Sequence, residues 1–165
     1  MPIATPNRVA DPVQLERYNP PCRLLHGDME VNYFNPTGYT ILQGEPVLVG
    51  GRVGIAAATI LPNHQGTVYM MWTVEATLNP SLSGTIAQSA LVYWDYDLVG
   101  VASGIGAVGK NAPTNGFKFG YALMPTDSSL VVSTHAIAAS AGDATIRVQN
   151  SMELATSYGT VPNFN

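Results

Sequence analysis

Charge is what this sequence has least of. Aspartate, glutamate, lysine and arginine make up 11% of the chain, against roughly 25% in an ordinary soluble domain. Hydrophobic residues reach 46%, so the shortage does not signal disorder, whose segments are polar and charged. It suits a protein that covers much of its surface with neighbours, where exposed charge would be desolvated at a cost. Basic residues are scarcer than acidic ones, seven against eleven for a net charge of −4, with a pI near 5.1. Nucleic acid requires a cationic footprint, so nucleic-acid partners are excluded. Cys22 is the single cysteine, which excludes an intrachain disulfide and a secreted cysteine framework.

Long apolar runs are also missing. The longest, Leu98 to Gly109, is rich in glycine and falls far short of the roughly 20 residues a membrane helix needs. The opening Met-Pro-Ile-Ala-Thr-Pro lacks the basic and then apolar regions of a signal peptide. The triplets Asn35-Pro36-Thr37 and Asn79-Pro80-Ser81 carry a middle proline that bars glycosylation. The chain reads as soluble, unprocessed and made inside a cell, with no membrane partner.

At 165 residues the chain fits one domain, or a domain with an arm. A compact chain of about this size buries roughly 68–70% of its unfolded surface, so no disulfide or metal staple is required. Residues 1–36 hold six of the twelve prolines and three of the five arginines, Arg8, Arg17 and Arg23. Proline removes a backbone donor and pushes its predecessor into an extended conformation. This segment is expected to be an extended N-terminal arm; Tyr18, Leu24, Leu25, Tyr33 and Phe34 are apolar content that a solvated tail would not need. Residues 37–150 are expected to form a β-domain, and 151–165 a C-terminal tail.

The β-domain is read from short runs of Val, Ile, Tyr and Thr punctuated by glycine. Pro46–Val49 and Arg52–Ala57 flank Gly50-Gly51, a pair suited to a primed hairpin turn. Gly66–Ala76 alternates as a long strand. Thr85–Ala90, Ala90–Trp94, Phe117–Leu123 and Ala144–Gln149 complete the set. Ser128–Ala141, between Asp127 and Gly142, reads as a capped helix, although Leu130-Val131-Val132 is equally strand-like. The pattern predicts an all-β fold, a small sandwich or partly open, β-tulip-like barrel, carrying the extended arm.

No constellation of residues amounts to an active site. Gly104-Ile-Gly-Ala-Val-Gly109-Lys110 matches two phosphate-binding patterns, but both need a helix directly afterwards. Asn111-Ala-Pro-Thr-Asn-Gly116 is a poor helix former, so the stretch reads as a flexible glycine loop. Asp95 and Asp97 read as a turn after Trp94, without the further oxygens a calcium site needs. Cys22, His26 and Asp28 offer one thiol, one imidazole and one carboxylate, too few for structural zinc. Pro20-Pro21 also argues against a helix that would present them together. Ser133 and His135 merely share a face if that segment is a strand. The expectation is a protein with no enzymatic activity, metal or cofactor. Tyr69, Trp72, Tyr93, Trp94, Phe117, Phe119 and Tyr121 are expected to pack in the core or between subunits, or else to offer a sugar-binding platform. The six methionines are read as core filler.

The order of these segments resembles a known family. Gly44-Glu-Pro-Val-Leu-Val-Gly-Gly-Arg-Val-Gly-Ile-Ala56 looks like the opening hairpin of tailed-phage capsid cement (head decoration) proteins. Ile86-Ala-Gln-Ser-Ala-Leu-Val-Tyr-Trp-Asp95 resembles a second signature of that family, with Ser89 where glycine is usual. Phe119–Leu123 and Ala141–Val148 resemble its closing strands. The resemblance spans about residues 38 to 150. It implies a β-rich virion protein that binds the outside of an assembled icosahedral shell, commonly as a homotrimer. Its partner would be the major capsid protein, and its place the outer capsid surface after synthesis in the host cytoplasm. The shell contacts are expected on the arm, at Arg17, Tyr18, Arg23, Tyr33 and Phe34, because arginine and aromatic side chains anchor interfaces. Two other readings stand beside it: another virion β-protein (head fibre, tail or adaptor), and a carbohydrate-binding β-module using Trp72 or Trp94.

Overall fold

The computed structural model describes residues 22–79, 82–98, 106–123, 137–140, 145–150 and 157–159. Among them there is no helix. The strands are β1 (Cys22–Phe34), β2 (Pro46–Val49), β3 (Arg52–Ala56), β4 (Gln65–Thr77), β5 (Thr85–Ala87), β6 (Leu91–Asp95), β7 (Ala107–Gly109), β8 (Gly116–Ala122), β9 (Ile137–Ser140), β10 (Thr145–Gln149) and β11 (Ser157–Tyr158). The main sheet runs β2-β3-β4-β10-β8-β6-β7, with β1 added to β4 and β11 to β8. Strands β5 and β9 pair separately.

The long strand β4 organises this sheet. Its burial alternates, with Val68, Trp72, Val74 and Ala76 turned inward, as a period of two demands. β1 pairs along it from Phe34↔Gln65 to Cys22↔Ala76. Strand β3 (Ile55↔Tyr69, Ala56↔Val68) and strand β10 (Gln149↔Thr73 to Thr145↔Thr77) must therefore share the opposite edge. Asn150 fills the gap between them. Its side-chain amide donates to the Met70 carbonyl (2.7 Å), its backbone N–H to the Trp72 carbonyl (3.1 Å), and its Oδ1 accepts from the Trp72 N–H (3.3 Å). A side chain thus completes a ladder that two short strands leave open.

From β4 the sheet curls through β10, β8, β6 and β7 and returns to where it started. Leu78, just beyond β4, makes a parallel bridge to Val108 of β7, and Asn79 N–H donates to the Val108 carbonyl at 2.9 Å. The result is the partly open all-β barrel that the alternation implied. Inside it, Trp72 stacks on Phe119 at 4.8 Å and Trp94 meets Phe119 at 5.2 Å between ring centroids. The Trp72 indole N–H donates to the Val53 carbonyl (3.0 Å), tying the β2–β3 hairpin to the barrel. That hairpin turns at Gly50 (φ 56°) and Gly51 (φ 74°), the two positive values a primed turn requires. A smaller cluster of Tyr33, Ile41, Val47, Ala56, Ile60 and Val68 packs beside the main core.

Three segments differ from the sequence reading. The glycine stretch expected to be a loop contains β7, whose three residues are buried and paired with β6 from Asp95↔Ala107 to Tyr93↔Gly109. Gly106, just before β7 at φ 112°, lies so close to Trp94 that a Cβ there would stand 2.8 Å from the indole nitrogen, so this glycine serves close packing rather than flexibility. Within the expected helix, Ile137–Ser140 is instead β9, hydrogen-bonded along β5; a waiting strand edge outweighs helix propensity. Residues 128–136 of that segment lie outside the described residues. Strand β5 stops at Ala87, and 88–90 turn.

Ser89, standing where glycine is usual, adopts φ 66°, and its N–H donates to the Ala122 carbonyl (2.8 Å). A left-handed L residue costs about 1–2 kcal/mol, part of which glycine returns through unfolded-chain entropy. Ser89→Gly is therefore expected to stabilise the fold by about 0.5–1 kcal/mol, read as a higher urea midpoint at unchanged slope.

Candidate functional site

β1 and β4 form a ribbon with most β1 side chains exposed. The pairing shifts by one residue between Leu24 and His26, a bulge at Leu25. Leu24, Leu25, Met29, Phe34 and Met71 are exposed along this ribbon. At its far end Phe34 is 51% exposed, and Leu61, in the turn facing the strand end, is 43% exposed. Exposed apolar side chains on an ordered frame are what a docking surface offers.

That end is locked by Asn35, which is fully buried. Its side-chain amide donates to the carbonyls of Tyr39 (2.9 Å) and Ile60 (3.1 Å), while its Oδ1 accepts from Thr37 N–H (3.0 Å) and from the Thr37 hydroxyl. Its backbone N–H donates to the His64 carbonyl, and its carbonyl accepts from Asn63 N–H, both at 2.9 Å. One residue therefore fastens the chain leaving β1 to the 60–64 turn that carries Leu61.

The five arm residues fall into three places. Arg17 and Tyr18 lie outside the described residues. Arg23 reaches across the strand pair to Glu75 at 3.0 Å, with its own side chain 64% exposed, a geometry worth at most about 1 kcal/mol. Tyr33 is 6% exposed and belongs to the smaller core cluster, so its ring supports the strand from inside, whereas its neighbour Phe34 faces out.

The remaining candidates are not gathered into a catalytic arrangement. Cys22 is buried while His26 and Asp28 are exposed further along β1. No group of three or more His, Cys, Asp or Glu able to hold a metal occurs among the described residues. Asp97 N–H donates to Asp95 Oδ1 (2.9 Å) and Asn115 Nδ2 to Asp97 Oδ2 (2.7 Å), so this pair builds a turn. Ser133 and His135 lie outside the described residues. Trp72 and Trp94 are 2% and 0% exposed, which corrects the reading of either as a sugar platform: both faces are spent on core packing.

The chain's own sequence gave no warning of Asn35, Leu61 or Glu45. Glu45 is buried, and its Oε2 accepts from Leu42 N–H at 3.0 Å; a glutamate beside Pro46 in a hairpin reads as surface. Burial, and then the Glu45 charge, push the Cys22 thiol well above its ordinary value.

A family model described as phage cement protein matches residues 25–150, from within β1 to just past β10. The chain belongs to the phage cement protein family. Neither the curated proteins nor the solved structures contain a match. The cement protein is thus a structural component of a phage virion, located at the capsid. The matched span takes in most of β1, Asn35, the turn carrying Leu61 and the whole barrel as far as β10.

Two outcomes follow for this cement protein. Asn35→Ala strands the Thr37 N–H and leaves the Tyr39 carbonyl with only the Thr37 hydroxyl and the Ile60 carbonyl with only the Ile41 N–H, and is expected to cost about 2 kcal/mol, read as a lower urea midpoint. The second concerns alkaline pH. A thiol with a raised folded pKa keeps its proton where the unfolded chain has lost it, so stability is complete below the unfolded value and falls above it. For Cys22 that loss begins near 9.0. Burial, and then Tyr39, lift Tyr33 from 10.0 to about 12, extending the loss across that range. The urea midpoint is expected to be level at neutral pH and to decline above the Cys22 threshold, with a shallower onset in Cys22→Ala.

Proposed function

We propose that this cement protein binds the outer surface of the assembled icosahedral capsid and stabilises it against dissociation, acting as a homotrimer. Its partner in this reading is the major capsid protein. The observation that carries the reading is the locked end of the β1–β4 ribbon, where Phe34 and Leu61 stand exposed on a frame fixed by Asn35. A rigid apolar anchor loses little entropy on docking, and aromatic anchors dominate interface energetics. Arg17, Tyr18 and Arg23 are the proposed polar contacts, Arg23 standing at the Cys22 end of β1, opposite to Phe34; Tyr33 contributes by holding the strand that presents Phe34. Many weak contacts from one oligomer add up through effective concentration.

The reading is tested by co-sedimentation with shells depleted of this chain, counting bound copies per particle. Truncation must respect the sheet: removing residues 1–30 would also strip pairing from β4, because β1 begins at Cys22, so the informative arm deletion ends at residue 21. Saturable binding at hundreds of copies (about that order, as expected of avid surface decoration) supports cement. A few copies at one vertex would favour a fibre, tail or adaptor role instead. Phe34→Ser and Leu61→Ser are expected to weaken binding by roughly tenfold or more each with the urea midpoint nearly unchanged. Wild-type binding by both variants would overturn this surface as the contact.

A further inference from the structure

The outer edge of β1 poses a hazard that the fold answers. β1 is long, pairs on one side with β4, and makes no other strand pairing among the described residues. Leu24, Leu25 and Met29 are exposed along it, Met29 at 53%. A long, apolar, open edge is a template for another copy of itself. Two features interrupt it. The bulge at Leu25 shifts the register, and Met29 adopts φ 57° in the middle of the strand. An unbranched L residue in that left-handed region has no intrinsic reason to be there. The Met29 N–H is taken by the Asp28 carboxylate at 2.7 Å, and the ladder passes from Asp28↔Met71 to Glu30↔Tyr69 without a pair at Met29.

We infer that the Asp28–Met29 kink, together with the Leu25 bulge, is an edge guard that keeps the β1 strands of separate copies from pairing with one another. The bulge shifts the register between Leu24 and His26, and at Met29 a left-handed residue with its N–H held by the neighbouring carboxylate interrupts the strand. Between Cys22 and Met29 no run longer than three residues keeps one register, and the only longer regular run of β1 is Glu30–Phe34. The flanking charges of Asp28 and Glu30 add repulsion between like edges. The guard acts on self-pairing alone and is independent of how the shell is bound.

Sedimentation velocity over a concentration series tests it. D28A/M29V removes the carboxylate that takes the N–H and adds a β-branched residue that resists the left-handed region. It is expected to assemble beyond the wild type's own state at roughly tenfold lower protein concentration, the fold-change matching one left-handed penalty. M29G, which keeps that conformation freely, is expected to sediment as the wild type does. If the double variant fails to fold, D28A alone, a change to one exposed side chain, carries the test with a smaller shift in the same direction. A folded D28A or D28A/M29V that sediments like the wild type at every concentration overturns the inference.

Discussion

Strand β4 must satisfy both of its edges over its whole length, and the rest of the molecule is arranged around that requirement. One edge is met by β1. The other is met in sequence by β3, by the amide and backbone of Asn150, and by β10. Because β4 is paired along most of both edges, its inward side chains can serve two cores, Val68 in the smaller cluster and Trp72, Val74 and Ala76 in the larger. Polar backbone that is fully spent on the ladder costs nothing to bury, so a chain with few charges can still place its polar atoms without exposing them.

This economy extends to the side chains. Asn35, Thr37, Thr40 and Glu45 are buried polar residues, and Asn35 and Glu45 bond chiefly to backbone groups in turns that no strand pairs. They are structural replacements for ladder bonds. What remains on the surface of the ribbon sets the exposed Leu24, Leu25, Met29, Phe34 and Met71 among a few charges, Arg23, Asp28 and Glu30; those apolar side chains are a liability for an isolated subunit and a suitable face for a virion component that works against its neighbours.

Much of the barrel was legible in the sequence because one face of each strand is buried. Ile146 and Val148 announce themselves by alternating with Thr145, Arg147 and Gln149, Val92 and Trp94 stand in an aromatic and aliphatic run, and Gly50-Gly51 fixes the first hairpin. β1 was not legible as a ladder strand. Its residues are exposed on both sides of the ribbon and a bulge breaks the period, so nothing forces alternation, and only its extended character shows through the prolines. β7 was hidden because it is three residues long and lies among glycines, of which Gly106 is required by its close approach to Trp94, and such a stretch reads as loop. The exposed end fared in the same way. Phe34 stood out as an aromatic on the arm, but Leu61 acquires meaning only through Asn35, whose bonds connect positions about 25 residues apart. A buried asparagine has no local signature.

The barrel closes on itself through the Leu78–Val108 bridge and the neighbouring Asn79 bond, whereas β6–β8 and β4–β10 are joined by ladders of five pairs each. A hoop fastened at one clasp has its compliance in one place. Its girth can change at the clasp for the loss of a couple of hydrogen bonds, while Trp72, Phe119 and Trp94 stay stacked within. Load taken up by such a subunit is therefore relieved at a seam, and the packed interior is spared.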